Sequence, residues 1–394
     1  MLIGKDHRSV SARRGGVLSV LVFALSGCTV GSGGTPQTAA PTTTTQVRTT
    51  STTTTCTNRK VIAGWPNSEL AAQVVVVPAS DAAPLAVSSL VAGGAGGVIL
   101  FGSNPTSQLA GQLAQLKTLN TFGVAPSIMS DEEGGAVQRL TVLTGPIPSA
   151  REMGATMSAS QIETLAKSLA IKLSSLGLTV DLAPVLDVDG GPGPSNTNPD
   201  GTRSFSADPA VAAKDGLAFA KGLIQGGITP VVKHFPGLGG ATGNTDVMSA
   251  STPPLSTLLT VGLVPFRAAI AAGLPAVMIS NASVPGITAK PASLSKAAVS
   301  YLRNVMGFKG TIITDSLSAQ SISNLGLSVP QAAVESIGSG TDLVLYNTLD
   351  PALTFKQTVD ALVAAVSDGT LARRTLLDAV ESDLSFKGVD LCVG

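Results

Sequence analysis

The stretch TPVVKHFPGLGG (residues 229–240) joins a short apolar run to a Lys-His pair and a glycine-rich bend. The apolar part does not alternate with polar residues. Brief, β-branched-rich runs of this kind are typical of strands that are covered on both faces, as in parallel sheets. The chain contains seven more such runs, which are AQVVVVP (72–78), GGVILFG (96–102), APSIMSD (125–131), LTVDLAPVLD (178–187), PAVMISN (275–281), GTIITD (310–315) and DLVLYN (342–347). We therefore predict eight parallel strands.

The segments between these runs are helix-like, and several end on glycine, the usual helix stop. The longest are PTSQLAGQLAQLKTLN (105–120), SASQIETLAKSLAIKLSSLG (158–177) and DPAVAAKDGLAFAKGLIQGG (208–227). Eight strand–helix repeats predict an α/β protein with a single (β/α)8 barrel of the TIM type. An open doubly wound sheet, such as that of a two-lobed solute-binding protein, is the alternative, and the strand count favours the barrel.

Polar residues lie at or just after the ends of seven of the eight runs. They are Ser103-Asn104, Asp131, Asp187, Lys233-His234, Asn281, Asp315 and Asn347. In a barrel these positions gather on one rim, where active sites are built. A single Asp or Asn often ends a strand simply by starting a turn, but a whole ring of polar groups predicts a functional site.

Composition excludes several classes of function. Lys+Arg and Asp+Glu both total 25 and aromatic residues are 3%, so neither a basic nor a stacking surface for nucleic acid is expected. The only histidines are His7 and His234, so a site with several imidazole ligands cannot be assembled and we expect no metal and no cofactor. The chain also lacks a G-x-S-x-G elbow and a phosphate-binding loop. Carboxylate chemistry remains, and glycoside hydrolysis is a reaction that uses two carboxyl groups.

The N-terminal region is typical of an exported protein. A basic start and a short apolar stretch lead to Leu25-Ser26-Gly27-Cys28, which resembles a bacterial lipoprotein box. We expect a signal peptide at residues 1–27, lipid on Cys28, a Thr/Ser/Gly/Pro-rich tether at 28–57 and a folded domain at 58–394. The remaining cysteines, Cys56 and Cys392, flank that domain, and an even pair in an exported protein suggests a disulfide. Two free thiols are the alternative.

Five segments resemble successive motifs of glycoside hydrolase family 3, most closely its single-domain bacterial β-N-acetylglucosaminidases. They are SDEEGGAVQRL (130–140), DLAPVLDVD (181–189), GTRSF (201–205), KHFPGLG (233–239) and TDSLS (314–318). The resemblance implies a nucleophile, Asp315, that forms a covalent glycosyl intermediate. It also implies a set of sugar-binding residues, namely Asp131, Arg139, Arg203, Lys233 and His234. For His234, direct sugar contact and a role in shaping the pocket remain equal alternatives.

The proton donor is the point at which the chain departs from the family pattern. In relatives a loop after KHFPGHG ends in Asp-Ser-His, and its histidine is the acid/base. Here those positions are Asn244, Thr245 and Asp246, and the second motif histidine is Leu238. We favour Asp246 as the acid/base, oriented by Asn244, because a carboxyl near ionised Asp315 has the raised pKa that a general acid needs. A donor on another loop, or loss of turnover, are the alternatives.

The resulting expectation is a retaining β-N-acetylhexosaminidase that acts on cell-wall-derived amino-sugar glycosides. We expect it to be a monomer outside the cytoplasm, attached to the membrane only through lipid. The alternatives are a non-catalytic sugar-binding lipoprotein and a β-glucosidase-like family member. The latter usually takes its acid/base from a second domain, for which residues after 350 leave no room.

Overall fold

Eight parallel strands form one sheet in the computed structural model, which describes residues 56–119 and 122–392. The predicted signal peptide, Cys28 and most of the predicted tether lie outside the described residues. The strands are β1 Val75–Ser80, β2 Gly97–Phe101, β3 Ser127–Ser130, β4 Val180–Asp181, β5 Thr229–Phe235, β6 Ala276–Ile279, β7 Thr311–Thr314 and β8 Val344–Leu345. A short hairpin, Glu132–Gly134 with Val137–Gln138, follows β3.

The sheet closes into a ring. Its order is β8-β1-β2-β3-β4-β5-β6-β7, and all pairs within it are parallel. A parallel bridge between Ile313 and Leu343 joins the two ends, and the N–H of Thr314 donates to the carbonyl of Leu343 at 3.0 Å. The prediction of a (β/α)8 barrel is confirmed, and the open doubly wound alternative is wrong.

Strand β4 is shorter than the run LTVDLAPVLD predicts. Pro184 interrupts it, because proline has no N–H to donate to the ladder. Pairing resumes at a single bridge between Val185 and Lys233. The chain beyond β4 therefore runs beside β5 up to Asp187, which brings this carboxyl next to the Lys-His pair.

Fifteen α-helices lie among the described residues. They are α1 Thr57–Ala63, α2 Asn67–Gln73, α3 Ser88–Ala92, α4 Leu109–Thr118, α5 Thr141–Thr144, α6 Ala150–Thr156, α7 Ala159–Leu176, α8 Pro209–Gln225, α9 Leu255–Leu258, α10 Leu263–Ala271, α11 Lys296–Ser300, α12 Gln320–Ser323, α13 Val329–Ser339, α14 Pro351–Ser367 and α15 Arg373–Phe386. Local sequence explains the ends of the long ones. Ser158 and Gln161 form a capping box at the start of α7, and Gly177 ends it with φ 98°.

The core has an inner and an outer part. Inside the barrel, apolar side chains from successive strands fill the centre, among them Val76, Ile99, Met129, Val231 and Ile313. A larger apolar cluster joins the outer faces of the strands to the helices. The barrel is therefore a packed core, and its polar residues collect at the carboxyl ends of the strands.

The two ends of the described domain are bonded to each other. The sulfurs of Cys56 and Cys392 are 1.99 Å apart and the two residues are separated by 336 positions. Arg59 on α1 also pairs with Glu381 on α15, with 3.0 Å between Nε and Oε2. Within the part of the chain that is described, no helix has the length and apolar character needed to cross a bilayer.

Candidate active site

A cavity of about 580 Å³ opens at the carboxyl ends of the strands. The cavity is lined by all eight residues that are predicted to bind or transform a sugar. These are Asp131, Arg139, Arg203, Lys233, His234, Asn244, Asp246 and Asp315. Their elements converge because parallel strands bring their carboxyl ends to one rim. Asn347 also lines the cavity, whereas Asn104 and Asn281, from the predicted polar ring, are not among its lining residues.

One side of this cavity is a charged wall formed by Asp131, Glu133, Arg139, Arg203 and Lys233, and Glu133 lies at its centre. Arg203 holds it with two bonds, from Nε to Oε2 and from Nη2 to Oε1, both 2.8 Å. Lys233 Nζ is 2.7 Å from Oε1 of the same carboxylate. Although burial alone would raise it, the charges of Arg203 and Lys233 hold the pKa of Glu133 well below its ordinary value. Glu133 is therefore ionised and fixes the two cations.

Asp131 is bound by the same lysine and lies near a second arginine. Its Oδ1 accepts from Lys233 Nζ at 2.6 Å, and its Oδ2 is 3.8 Å from Arg139 Nη2. Arg139 also lies over the Phe101 ring, 6.0 Å from the centroid. Lys233 is almost fully buried, but Asp131 and Glu133 outweigh that burial and raise its pKa. It therefore stays charged at the base of the cavity.

His234 is oriented by Asp187, which follows β4. Its Nδ1 is 2.7 Å from Asp187 Oδ2, and because an ionised carboxylate only accepts, the proton lies on Nδ1. The other ring nitrogen, Nε2, is 3.4 Å from Arg203 Nη2. Asp187 also accepts the backbone N–H groups of His234 at 3.2 Å and Leu238 at 2.8 Å. One carboxylate thus fixes both the imidazole and the start of the following loop.

Asp315 comes directly after β7, on the opposite side of the cavity from the hairpin. Its backbone N–H donates to the carbonyl of Ile279 at 2.9 Å, which sets the position of its Cα. Its Oδ1 accepts the N–H of Ser316 at 2.8 Å. No cation is paired with this carboxylate in the described part of the chain, so it is available for contact with a ligand in the cavity.

Asp246 lies on the loop after β5 and is exposed at the rim. The loop is anchored to α12, because the carbonyls of Thr245 and Asp246 accept the N–H groups of Ser321 at 3.0 Å and Gln320 at 3.2 Å. Although the residue as a whole is exposed, partial withdrawal of its carboxyl from water and the negative charge of Asp315 raise the pKa of Asp246, against the opposing charge of Arg203. A raised pKa beside a second carboxylate is the property that a general acid needs.

Asn244 acts on Asp246 differently from what the sequence suggests. Its Oδ1 accepts the backbone N–H of Asp246 at 3.0 Å, and in the described part of the chain no hydrogen bond joins it to the carboxyl of Asp246. This is an Asx turn, which fixes the direction of the chain at the loop tip. Asn244 therefore shapes the loop rather than orienting the acidic group.

Two residues of the site are not among those predicted from the sequence to bind sugar, Glu133 and Asp187. Glu133 lies two positions after Asp131 in an extended segment, and alternate residues of such a segment face the same side. Glu132, between them, instead accepts from Ser130 Oγ at 2.6 Å and from Leu140 N–H at 3.1 Å. This alternation is the sequence signal that identifies Glu133.

One group of described side chains has a spacing that a metal ion can bridge. An oxygen of Asp187, an oxygen of Asp200 and a ring nitrogen of His234 all lie within 4.8 Å of one another. However, Nδ1 of His234 is bonded to Asp187 and Nε2 faces the Arg203 guanidinium. Nδ1 uses its proton to bind Asp187, and the lone pair of Nε2 faces Arg203, so neither nitrogen is available to a metal ion. The donor set therefore does not fit a metal site.

Comparison with known proteins gives a consistent family. The profile described as "Glycosyl hydrolase family 3 N terminal domain" matches residues 69–384. The beta-hexosaminidase LpqI of Mycobacterium tuberculosis is 35% identical over 327 residues, covering 80% of this chain and 81% of its own. The solved structure of M. tuberculosis LpqI superposes with a TM-score of 0.77 and 33% identity, over 84% of this chain and 96% of that one. The beta-N-acetylhexosaminidase of Beutenbergia cavernae gives a TM-score of 0.76 and 30% identity, over 83% and 100%.

Proposed function

The chain belongs to glycosyl hydrolase family 3, and from this premise we propose that it is a retaining glycosidase that releases terminal β-linked N-acetylglucosamine. The observation that carries the proposal is the pairing of two unlike carboxyl groups across one cavity. Asp315 has no cationic partner among the described residues, whereas Asp246 has a raised pKa. This division into a nucleophile and a proton donor is what retaining hydrolysis requires.

In the first step an oxygen of Asp315 attacks the anomeric carbon and the glycosidic bond breaks. The departing oxygen takes the proton of Asp246, which becomes a carboxylate, and the sugar is left as an ester of Asp315. In the second step a water molecule attacks the same carbon while Asp246 takes one of its protons. The bond to Asp315 breaks, and both carboxyl groups return to their starting states.

The charged wall supplies the sugar-binding groups. Asp131 has two oxygens, of which one accepts from Lys233 at 2.6 Å, and its remaining acceptor capacity suits two neighbouring hydroxyls. Arg139 and Arg203 offer further donors, and His234 presents its Nε2 side to the cavity. Glu133 keeps the two cations fixed before substrate arrives, which reduces the cost of ordering them on binding.

The substrate class rests on the relatives rather than on a particular side chain. LpqI of M. tuberculosis is named as a beta-hexosaminidase, and the B. cavernae protein as a beta-N-acetylhexosaminidase. We infer an amino-sugar glycoside derived from the cell wall as the substrate. We further propose an extracytoplasmic, lipid-anchored monomer, because LSGC at residues 25–28 and the Thr-rich stretch before Cys56 fit an exported tethered domain.

Two substrates with different leaving groups test the roles of the carboxyl groups. The nitrophenyl N-acetylglucosaminide releases a stable phenolate without protonation, whereas the β-linked disaccharide of N-acetylglucosamine needs a proton. Asp246→Asn should lower kcat/KM for the disaccharide by about 10²-fold or more and that for the aryl glycoside far less. Asp360→Asn, on the outer helix α14, is the matched control and should leave both unchanged.

Asp315→Ala should remove turnover of both substrates, and a 5-fluoro glycosyl fluoride should label Asp315 in the wild type. If Asp246→Asn lowers kcat/KM equally for both substrates, or for neither, Asp246 is not the proton donor. If the wild type binds N-acetylglucosamine but hydrolyses neither substrate, the non-catalytic alternative replaces the proposal.

A further inference from the structure

Asp200 is a buried carboxyl that the sugar site does not use directly. It precedes Gly201 in the segment that carries Arg203, and its side chain is 0% exposed. Neither of its carboxylate oxygens has a hydrogen-bond partner among the described residues. An ionised carboxylate without water and without a donor is strongly destabilised. Asp200 therefore needs either a proton or a bound cation.

The surroundings of Asp200 favour a proton. An oxygen of Asp200 and an oxygen of Asp187 lie within 4.8 Å of each other, and two ionised carboxylates have no donor to share. One proton on Asp200 supplies that donor and replaces repulsion by an O–H···O bond. Burial and, after it, the charge of Asp187 raise the pKa of Asp200 well above its ordinary value, against the attraction of Arg203.

A cation in the same place would meet a less suitable environment. The Arg203 guanidinium is 3.4 Å from the free ring nitrogen of His234, so a positive charge already faces the cluster. Asp187 already accepts the backbone N–H groups of His234 and Leu238. The other charged group close to Asp200 is Asp189, but its Oδ2 already accepts the N–H of Gly201 at 2.8 Å, so it is not a free ligand for a cation.

Asp187 connects this proton to the active site. It holds the His234 imidazole through Nδ1 and the loop that leads to Asp246 through the N–H of Leu238. We propose that Asp200 is a positioning residue of the sugar site, which keeps its proton and through it donates a hydrogen bond to Asp187. Asp187 then carries one stable negative charge, and its bonds to the imidazole and the loop persist. The connection to sugar binding rests on the proposed function, whereas the retained proton does not.

Infrared spectroscopy of the full-length protein tests the proton. At neutral pH the wild type should show a protonated-carboxyl C=O band that is absent from Asp200→Asn. Asp215→Asn is the matched control, because Asp215 is also 0% exposed but has a cationic partner, with 3.4 Å between Lys214 Nζ and its Oδ1. The difference spectrum of wild type and Asp200→Asn should therefore contain one band that the difference spectrum of the control lacks. The frequency of this band should shift when Asp187 is replaced by Asn. If the Asp200→Asn difference contains no such band, the proposal is overturned.

Nuclear magnetic resonance tests the positioning. Histidine occurs only at positions 7 and 234, so in a full-length, untagged protein with His7→Gln every imidazole signal comes from His234. Asp200→Asn, which still donates to Asp187, should keep the hydrogen-bonded Nδ1 proton and bind N-acetylglucosamine within about 3-fold of wild type. Asp200→Val, which cannot donate, should broaden or lose that proton and bind about 10-fold more weakly, the effect of one lost charge-assisted hydrogen bond.

Equal sugar affinity and equal Nδ1 signals in all three proteins would overturn the positioning role. Loss of activity on chelation with recovery on adding a divalent metal would overturn the retained proton in favour of a cation. Should Asp200→Val not fold, wild type and Asp200→Asn still decide the question through the infrared band. A wild type that shows the band but binds no N-acetylglucosamine would refute the proposed function and leave the retained proton standing.

Discussion

Glu133→Gln should be the most damaging single substitution in the charged wall that leaves the shape of a side chain nearly unchanged. In the wild type two cations, Lys233 and Arg203, are balanced by two carboxylates, Asp131 and Glu133. Glutamine removes one negative charge, so this buried group changes from neutral to a net charge of +1. It also places an N–H₂ group, which only donates, opposite side chains that only donate.

The magnitude follows from the contacts that are lost. Three charge-assisted bonds of 2.7–2.8 Å converge on Glu133. Their separate values, about 1.5–3 kcal/mol each, are not additive, because the glutamine carbonyl still accepts from one donor. Breaking a buried ion pair from one side typically costs about 3–5 kcal/mol, and we take this range for the loss of unfolding free energy. In a domain of this size it corresponds to a lower melting temperature by roughly 4–7 °C.

Thermal and urea unfolding measure this loss, and the pH dependence gives it a signature. The pKa of Glu133 lies below its ordinary value in the fold, so its stabilisation is present above about pH 4.5 and is lost as pH falls through the folded pKa. The difference in unfolding free energy between the wild type and Glu133→Gln should therefore be constant from pH 7 to pH 5 and become smaller in stronger acid. The exposed pair Lys356–Asp360 provides the control, since Asp360→Asn should cost at most about 0.5 kcal/mol. A Glu133→Gln protein as stable as this control would refute the reasoning.

Three further substitutions have definite expected outcomes. Burial raises the pKa of Glu132 to about 7, so the wild type loses stability as pH rises from about 4.5 to 7. Urea unfolding of Glu132→Gln should show a gain of roughly 3 kcal/mol at pH 8 and none at pH 4. Cys392→Ser opens a link between residues 336 positions apart, and calorimetry should show a loss of roughly 5 kcal/mol at most, with kcat/KM unchanged. A Cβ at Gly239 would lie 1.9 Å from the carbonyl oxygen of Val188, so Gly239→Ala should move the loop and lower kcat/KM at least about 10-fold with the fold intact by circular dichroism.

The barrel could be predicted from the sequence because its signal is local and repeated. Each strand is a short apolar run, and the spacing of eight such runs determines the architecture with little ambiguity. The lengths of individual strands could not be predicted in the same way. Strand β4 covers only Val180–Asp181, since a proline three positions later interrupts the hydrogen-bond ladder. Local composition identifies a strand, but its pairing partner determines where it ends.

The members of the site were more predictable than their contacts. Motif residues such as Asp131 and Lys233 line the cavity because they follow strand ends, and the topology alone brings them together. The bond that Asn244 makes depends instead on the path of its loop, which no local pattern specifies. Asp200 illustrates the same limit, because its lack of a donor depends on how the segments that carry Asp187, Asp200 and His234 come together.

With Asp246 as the proposed proton donor in place of histidine, the raised pKa of the donor has a different source. In the family pattern an imidazole takes the proton and a neighbouring aspartate holds it, so the dyad carries its own electrostatic partner. In this chain the neighbouring position is Asn244, which is neutral and bonds only the backbone. The protonated form of Asp246 is therefore favoured first by its partial withdrawal from water and then by the negative charge of Asp315. Once Asp315 becomes an ester it is neutral, so the pKa of Asp246 falls when the second step needs a base. The same pair of carboxyl groups can thus supply an acid and then a base without a third ionisable residue.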